Sequence, residues 1–160
     1  MKKVFFPFIF LFISLSLQAQ CTHLKNKAIK DMLGSFIYDS FRETPIKHNK
    51  SEQLIEFEIL LFKSNLYKMC WEISEMPKNT VIKLYEKSNS GSKKLIFNSE
   101  TAEPELNLYS LVLKNISRSV IVTYTIPEQS KQGCVKFILG FSFKNEIKQE
   151  KNPKARVKVN

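Results

Sequence analysis

With 160 residues, 43% of them hydrophobic and 13 of them Phe, the chain has room for one domain with a real core, which excludes general disorder. A formal net charge of +10 points to polyanionic partners such as lipopolysaccharide, acidic polysaccharide or anionic lipid, although charges scattered along a chain also serve plain solubility. Only four Gly are available, so several loops must be longer than tight two-residue turns.

Met1 to Ala19 has the organisation of a secretory signal peptide. Lys2 and Lys3 form a basic start, Val4 to Leu17 an apolar stretch too short to span a membrane comfortably, and Ala19 offers a small residue for cleavage. Removal of that leader makes Gln20 the first residue and lowers the charge from +10 to +8. A rival reading has Cys21 as the lipidated residue of a lipoprotein. Gln20 stands where such sites want Gly, Ala or Ser, so export to the periplasm or the medium without an anchor is the expectation, with no integral membrane span.

Gln20 to Glu52 divides into a helix and a connection. Between Thr22 and Phe41, Leu24, Ala28, Ile29, Met32, Leu33, Phe36 and Ile37 recur at helical spacings while Lys25, Lys27, Lys30 and Asp31 fall elsewhere. Thr22 is the candidate N-cap, and Gly34 weakens the middle. Such a basic amphipathic helix either covers its own sheet or lies on a membrane. Arg42 to Glu52, with Pro45 and His48, reads as a polar connection.

Gln53 to Phe143 is the β domain. Ile55, Phe57, Ile59 and Leu61 alternate with Glu56 and Glu58, and after a turn at Lys63-Ser64-Asn65 the residues Tyr67, Met69, Trp71 and Ile73 alternate with Lys68, Cys70 and Glu72. Further strands are expected over Thr80–Lys87, Lys93–Asn98, Leu106–Lys114, Ser117–Ile126 and Gly133–Phe143. Turn-rich segments separate them, and the two strands on either side of Asn115 turn near that residue. The pattern predicts an all-β fold, an antiparallel, jelly-roll-like β-sandwich of seven to eight strands with one N-terminal amphipathic helix. Lys144 to Asn160 loses the apolar period and reads as a solvated basic tail.

Cys21, Cys70 and Cys134 belong to a chain whose leader permits disulfides. Cys70 and Cys134 both fall on strands, and a bridge between them with Cys21 left over is the expectation. The alternative is that Cys70 faces a second buried layer formed by the helix around Met32 and Phe36 and stays a free thiol. His23 and His48 have no partner at ligand spacing, so no metal or other cofactor is expected. Glu56 and Glu58 have the look of a paired carboxylate, but the outer face of a strand accounts for them. Asn49-Lys50-Ser51 and Asn115-Ile116-Ser117 match a glycosylation pattern that also arises by chance. Tyr67, Tyr85, Tyr109 and Tyr124 would make a sugar-stacking platform if they shared one exposed face; otherwise they fill the core margin.

The phrases FEILLFKSNLYKMCWE, TVIKLYE, LYSLVLKNISRSVIVTYTI and GCVKFILGF together resemble the pre-peptidase C-terminal family of secreted β-sandwiches over about Gln53–Phe143. The likeness rests on Leu84-Tyr85, the Val122–Ile126 strand and Gly133-Cys134. Where that family has an Asp before the Leu-Tyr strand and a Gly-Thr-Tyr turn, this chain has Thr80-Val81 and Arg118-Ser119-Val120. The resemblance implies a non-catalytic accessory module. Together with the leader it gives the functional expectation: an exported binding protein for a glycan, an anionic cell-surface polymer or another secreted protein, not for a specific nucleic acid. An envelope structural protein, or a hydrolase with an unrecognised site, are the rival classes.

Overall fold

The structure, a computed structural model, describes residues 21–88, 90–114, 119–128 and 131–143. The leader at 1–19, the tail at 144–160 and the Asn115 turn with its glycosylation pattern lie outside the described residues. Over the described residues the fold is mostly antiparallel β, with eight strands in two sheets and one short helix.

In chain order the elements are α1 (Asn26–Leu33), β1 (Ile37–Ile46), β2 (Gln53–Leu60), β3 (Asn65–Glu72), β4 (Val81–Lys87), β5 (Lys93–Asn98), β6 (Leu108–Leu113), β7 (Ser119–Ile126) and β8 (Gly133–Phe143). Sheet A has the order β1-β8-β3-β6 and sheet B the order β2-β7-β4-β5, and every neighbouring pair is antiparallel.

The helix is shorter than its spacing predicts. Thr22 does not cap it; Lys25 occupies that position with no side-chain hydrogen bond. Gly34 ends it, because its φ of 64° is open to glycine and costly to other residues, and its N–H donates back to the Lys30 carbonyl at 2.9 Å. Beyond Gly34 the chain enters β1, a strand over residues where the pattern predicts helix and then a polar connection. The register of β1 shifts between Tyr38 and Ser40, and its inward positions further along include Arg42 and Thr44, so apolar alternation is hidden. Pro45 fits because β1 lies at a sheet edge, where no ladder needs its missing N–H.

The two sheets share one apolar cluster. β3 contributes Tyr67, Met69 and Trp71, β8 contributes Val135, Phe137 and Leu139, and from sheet B come Ile82, Leu84, Val120, Val122, Tyr124 and Ile126. Trp71, at 0% exposure, stacks on Phe97 of β5 with centroids 5.3 Å apart and rings 5° from parallel. Phe57 of β2 meets Phe137 edge-on at 5.9 Å. The alternation read from Ile55 to Ile73 therefore holds on both strands, with Ile55, Phe57 and Ile59 half-buried against the same cluster.

Trp71→Ala should cost about 3–5 kcal/mol in urea unfolding, because the surrounding rings cannot close on a cavity of that size. A loss below about 1 kcal/mol would mean the indole is not the centre of the core.

Candidate functional site

Among the described residues, groups capable of chemistry or binding lie in the segment crossing the outer face of sheet A, in the ion pairs beneath it, and in a groove at its far end.

The crossing segment runs from Cys21 to Phe36. It covers a second apolar cluster in which Leu33, Cys70 and Ile138 are buried, with Leu24, Ile29, Met32, Phe36, Phe41 and Leu108 packed around them. Contact is close: a Cβ added at Gly140 would strike Leu33 Cδ2 at 2.6 Å. At its start, Cys21 is bonded to Cys134 in a disulfide with Cα atoms 5.5 Å apart. This corrects the expected Cys70–Cys134 bridge. Cys70 pairs in register with Ile138 and Cys134 lies four residues further along β8, so the two Cα atoms are too far apart to bridge. Cys70 is instead a buried free thiol whose Sγ–H points to the Met32 carbonyl at 3.6 Å, and burial pushes its pKa up. Both observations match the alternative in which Cys70 faces the helix layer.

Beside the disulfide, the same face holds charge. Lys136, with 3% of its side chain exposed, has its Nζ 3.2 Å from Glu72 Oε2 and 3.2 Å from Glu75 Oε1. The Glu72 contact is an ion pair by distance but lacks hydrogen-bond geometry. Glu75 Oε2 accepts from the Thr22 N–H at 3.2 Å, and its main-chain carbonyl accepts from the Cys134 N–H at 2.8 Å. Hydrogen bonding from Thr22, then from Lys136, holds the Glu75 carboxyl below its ordinary range. His23 meets Glu43 at 2.8 Å on the rim. These contacts fasten Cys21 and Thr22 onto β8 and the Ser74–Pro77 turn, and His23 onto β1.

The structure does not bring the four tyrosines together. Tyr67 and Tyr124 are buried: the Tyr67 hydroxyl accepts from the Phe62 N–H at 2.9 Å, and Tyr124 lies edge-on to Phe57 at 5.7 Å. Burial pushes the Tyr124 phenol pKa well up. Tyr109 is half-buried on the inner face against Phe97, while Tyr85, also half-buried, sits on the outer face of sheet B. Tyr67 and Tyr124 are thus core residues, and the alternation that placed Tyr67 in line with Trp71 already carried that signal. Glu56 is bound by Lys93 at 3.0 Å and Glu58 by Lys87 at 2.9 Å, contacts that hold the Glu58 carboxyl low, with help from Ser119.

The remaining feature was invisible in the sequence. A groove of about 490 Å³ opens between α1 and the start of β1, lined by Asn26, Ile29, Lys30, Leu33, Phe36 and Tyr38 among others. Asn26, Ile29, Lys30 and Leu33 are one helix face, at spacings of three, four and seven. Tyr38 stands half exposed at 51%. An apolar floor with an amide, an ammonium and a phenol at its rim is a composition suited to a small polar ligand. The signal was missed because Tyr38 faces the groove only once Gly34 has ended the helix.

Among the described residues no helix is long and apolar enough to cross a membrane, and no group of three or more His, Cys, Asp or Glu is placed to hold a metal ion. No family model matches the chain, and no curated protein matches it either.

Peptide mapping without reduction should give one linked pair, Cys21–Cys134, and one alkylatable thiol, Cys70, after denaturation. A Cys70–Cys134 peptide would reverse the assignment. The loop closed spans 113 residues, so Cys21→Ser should lower stability by up to about 5 kcal/mol in the chain-entropy description. Acid should loosen the same segment. Glu75 has a folded pKa below its ordinary 4.5, so its contribution is present above that value and is lost as pH falls through the depressed folded value. Thermal midpoints taken below about pH 4.5 should therefore fall less steeply in Glu75→Gln than in the wild type, and equal slopes would remove Glu75 from the acid response.

Proposed function

We propose that the protein is an exported, non-catalytic β-sandwich that binds an acidic glycan in the groove between α1 and β1. The groove carries the reading: Tyr38 offers a ring face on which a sugar can stack, Lys30 a charge for a carboxylate, and Asn26 an amide for hydroxyls.

The strand order supports a jelly roll as the finer form of the fold. The pairs β1/β8, β2/β7, β3/β6 and β4/β5 are those of one long antiparallel hairpin, and the further pairs β8/β3 and β7/β4 are what rolling it up adds. This is also the architecture implied by the likeness to the pre-peptidase C-terminal family, whose members act as accessory modules.

Export is supported by the disulfide, which belongs to oxidising compartments. The bridge also bears on the rival lipoprotein reading. A lipidated Cys21 would carry its diacylglycerol on the sulfur that Cys134 already holds, so the two fates exclude one another. The disulfide thus supports the reading in which the chain is released into the periplasm or medium.

Calorimetric titration of residues 20–160 with uronate-containing oligosaccharides should give saturable binding. Tyr38→Ala and Lys30→Ala should each weaken it about tenfold, equivalent to about 1.4 kcal/mol. Tyr85→Ala, away from the groove, should leave it unchanged. Absence of binding to any acidic or neutral glycan would overturn the reading, and retained binding in both groove variants would move the site elsewhere.

A further inference from the structure

We infer that β2 is the interface of a homodimer, in which two copies pair antiparallel about Phe57 and join their four-stranded sheets into one of eight strands. The inference is independent of the glycan reading and rests on the edge itself.

Among the described residues each sheet has two edge strands, four in all: β1, β6, β2 and β5. β1 is interrupted by the register shift at Tyr38/Ser40 and carries Pro45. β5 faces the shift at Leu84/Tyr85 and β6 is six residues long. Such irregular or short edges resist pairing with another chain. β2 differs: it runs eight residues, Gln53–Leu60, in unbroken register with β7, without proline. Its free side offers an uninterrupted alternation of N–H and C=O groups to a partner strand.

The sequence of that strand is its own reverse. Residues 54–60 read LIEFEIL from either end, centred on Phe57. An isologous two-fold interface requires a surface complementary to itself, and an antiparallel strand pair about Phe57 meets this position by position. Leu54 would face Leu60 of the partner subunit, Ile55 would face Ile59 of the partner subunit, and Phe57 would face Phe57 of the partner subunit. The exposures fit. Leu54 and Leu60 stand on the outer face at 67% and 76%, and Ile55, Phe57 and Ile59 are only half-buried on the inner one. All five gain cover from a copy of themselves.

The opposing argument lies in the glutamates. Glu56 would face Glu58 of the partner subunit, and like charges directly opposite destabilise a strand pair. Charges on an edge strand are also a known guard against such pairing. Here, however, both carboxylates are already neutralised from within their own subunit. Lys93 Nζ contacts Glu56 at 3.0 and 3.2 Å, and Lys87 Nζ contacts Glu58 at 2.9 and 3.2 Å. The guard is disarmed before the edges meet, and the identical apolar flanks set the register.

Sedimentation velocity on residues 20–160, across roughly 1–200 micromolar, should show a monomer–dimer equilibrium, since a contact of one strand edge belongs with the small, weak interfaces. The Leu54→Lys/Leu60→Lys double variant, altered only at exposed positions, should stay monomeric with an unchanged circular-dichroism spectrum and thermal midpoint. Register is tested by cross-linking. Facing Cα atoms in an antiparallel pair lie about 4.5–5.5 Å apart, within disulfide reach, whereas Leu54 and Leu60 of one strand are about 20 Å apart. Mild oxidation of Leu54→Cys/Leu60→Cys should therefore give a covalent dimer, and Leu54→Cys alone should not. A monomer at every concentration would overturn the inference and leave the glutamates as guards. A dimer that survives the double-lysine substitution would place the interface elsewhere, and cross-linking by Leu54→Cys alone would refute the two-fold about Phe57.

Discussion

Everything in this fold depends on β8 being buried on both faces. Its inward residues Val135, Phe137 and Leu139 fill the space between the sheets, while its outward residues Cys134, Lys136 and Ile138 are no more exposed. The two central strands of sheet A, β8 and β3, cannot present Ile138 and Cys70 to water without cost, so something must cover that face. The segment before β1 does so. Eight residues of helix are too few to be stable alone, and α1 persists because it is tied down at both ends. The disulfide and Glu75 hold one end, and the close passage over Gly140 holds the other.

Sheet B solves the same problem differently. The outward residues of β7, Ser119, Ile121 and Thr123, are buried although, among the described residues, no helix lies over them. Ion pairs reach across the sheet instead, Glu58 on β2 to Lys87 on β4 and Glu56 on β2 to Lys93 on β5. The aliphatic stems of such lysines can cover apolar surface while their charged heads stay in water. Surface pairs of this kind contribute little energy one by one. Their larger effect is to cancel charge along the β2 edge, which is why the composition of that strand misleads when read alone.

Legibility in the sequence tracked local order. The strands from Gln53 to Trp71 and from Ser119 to Phe143 were readable because period-two alternation needs no knowledge of the partner strand. β1 was not, because its bulge breaks the period and its inward face at the edge holds Arg42, whose guanidinium lies 4.2 Å from the Phe57 ring centre. The turn before β6 was equally opaque: Leu106 and Asn107 both adopt positive φ, and leucine gives no sign of that conformation. The disulfide failed for a topological reason. Strand membership suggested Cys70, whereas the bridge was decided by where the chain before the helix crosses sheet A. The groove depends on the same crossing, so no pattern within α1 or β1 alone announced it.

The buried ion pairs then acquire a reason beyond cohesion. A buried lysine between carboxylates is often no more stabilising than apolar residues of the same size. Its effect on register is larger. β8 alternates apolar residues on both faces, so apolar burial alone discriminates weakly between the native register and one shifted by a residue. A slip by one would carry Lys136 into the aromatic cluster beside Trp71, away from Glu72 and Glu75, and would leave those carboxylates facing Val135 or Phe137. An unpaired charge in such surroundings costs several kcal/mol, so the shifted sheet is excluded although its apolar contacts would be tolerable. The same slip would turn Cys134 away from Cys21. Lys136 therefore selects the register, and the disulfide, closing only in that register, makes the selection permanent.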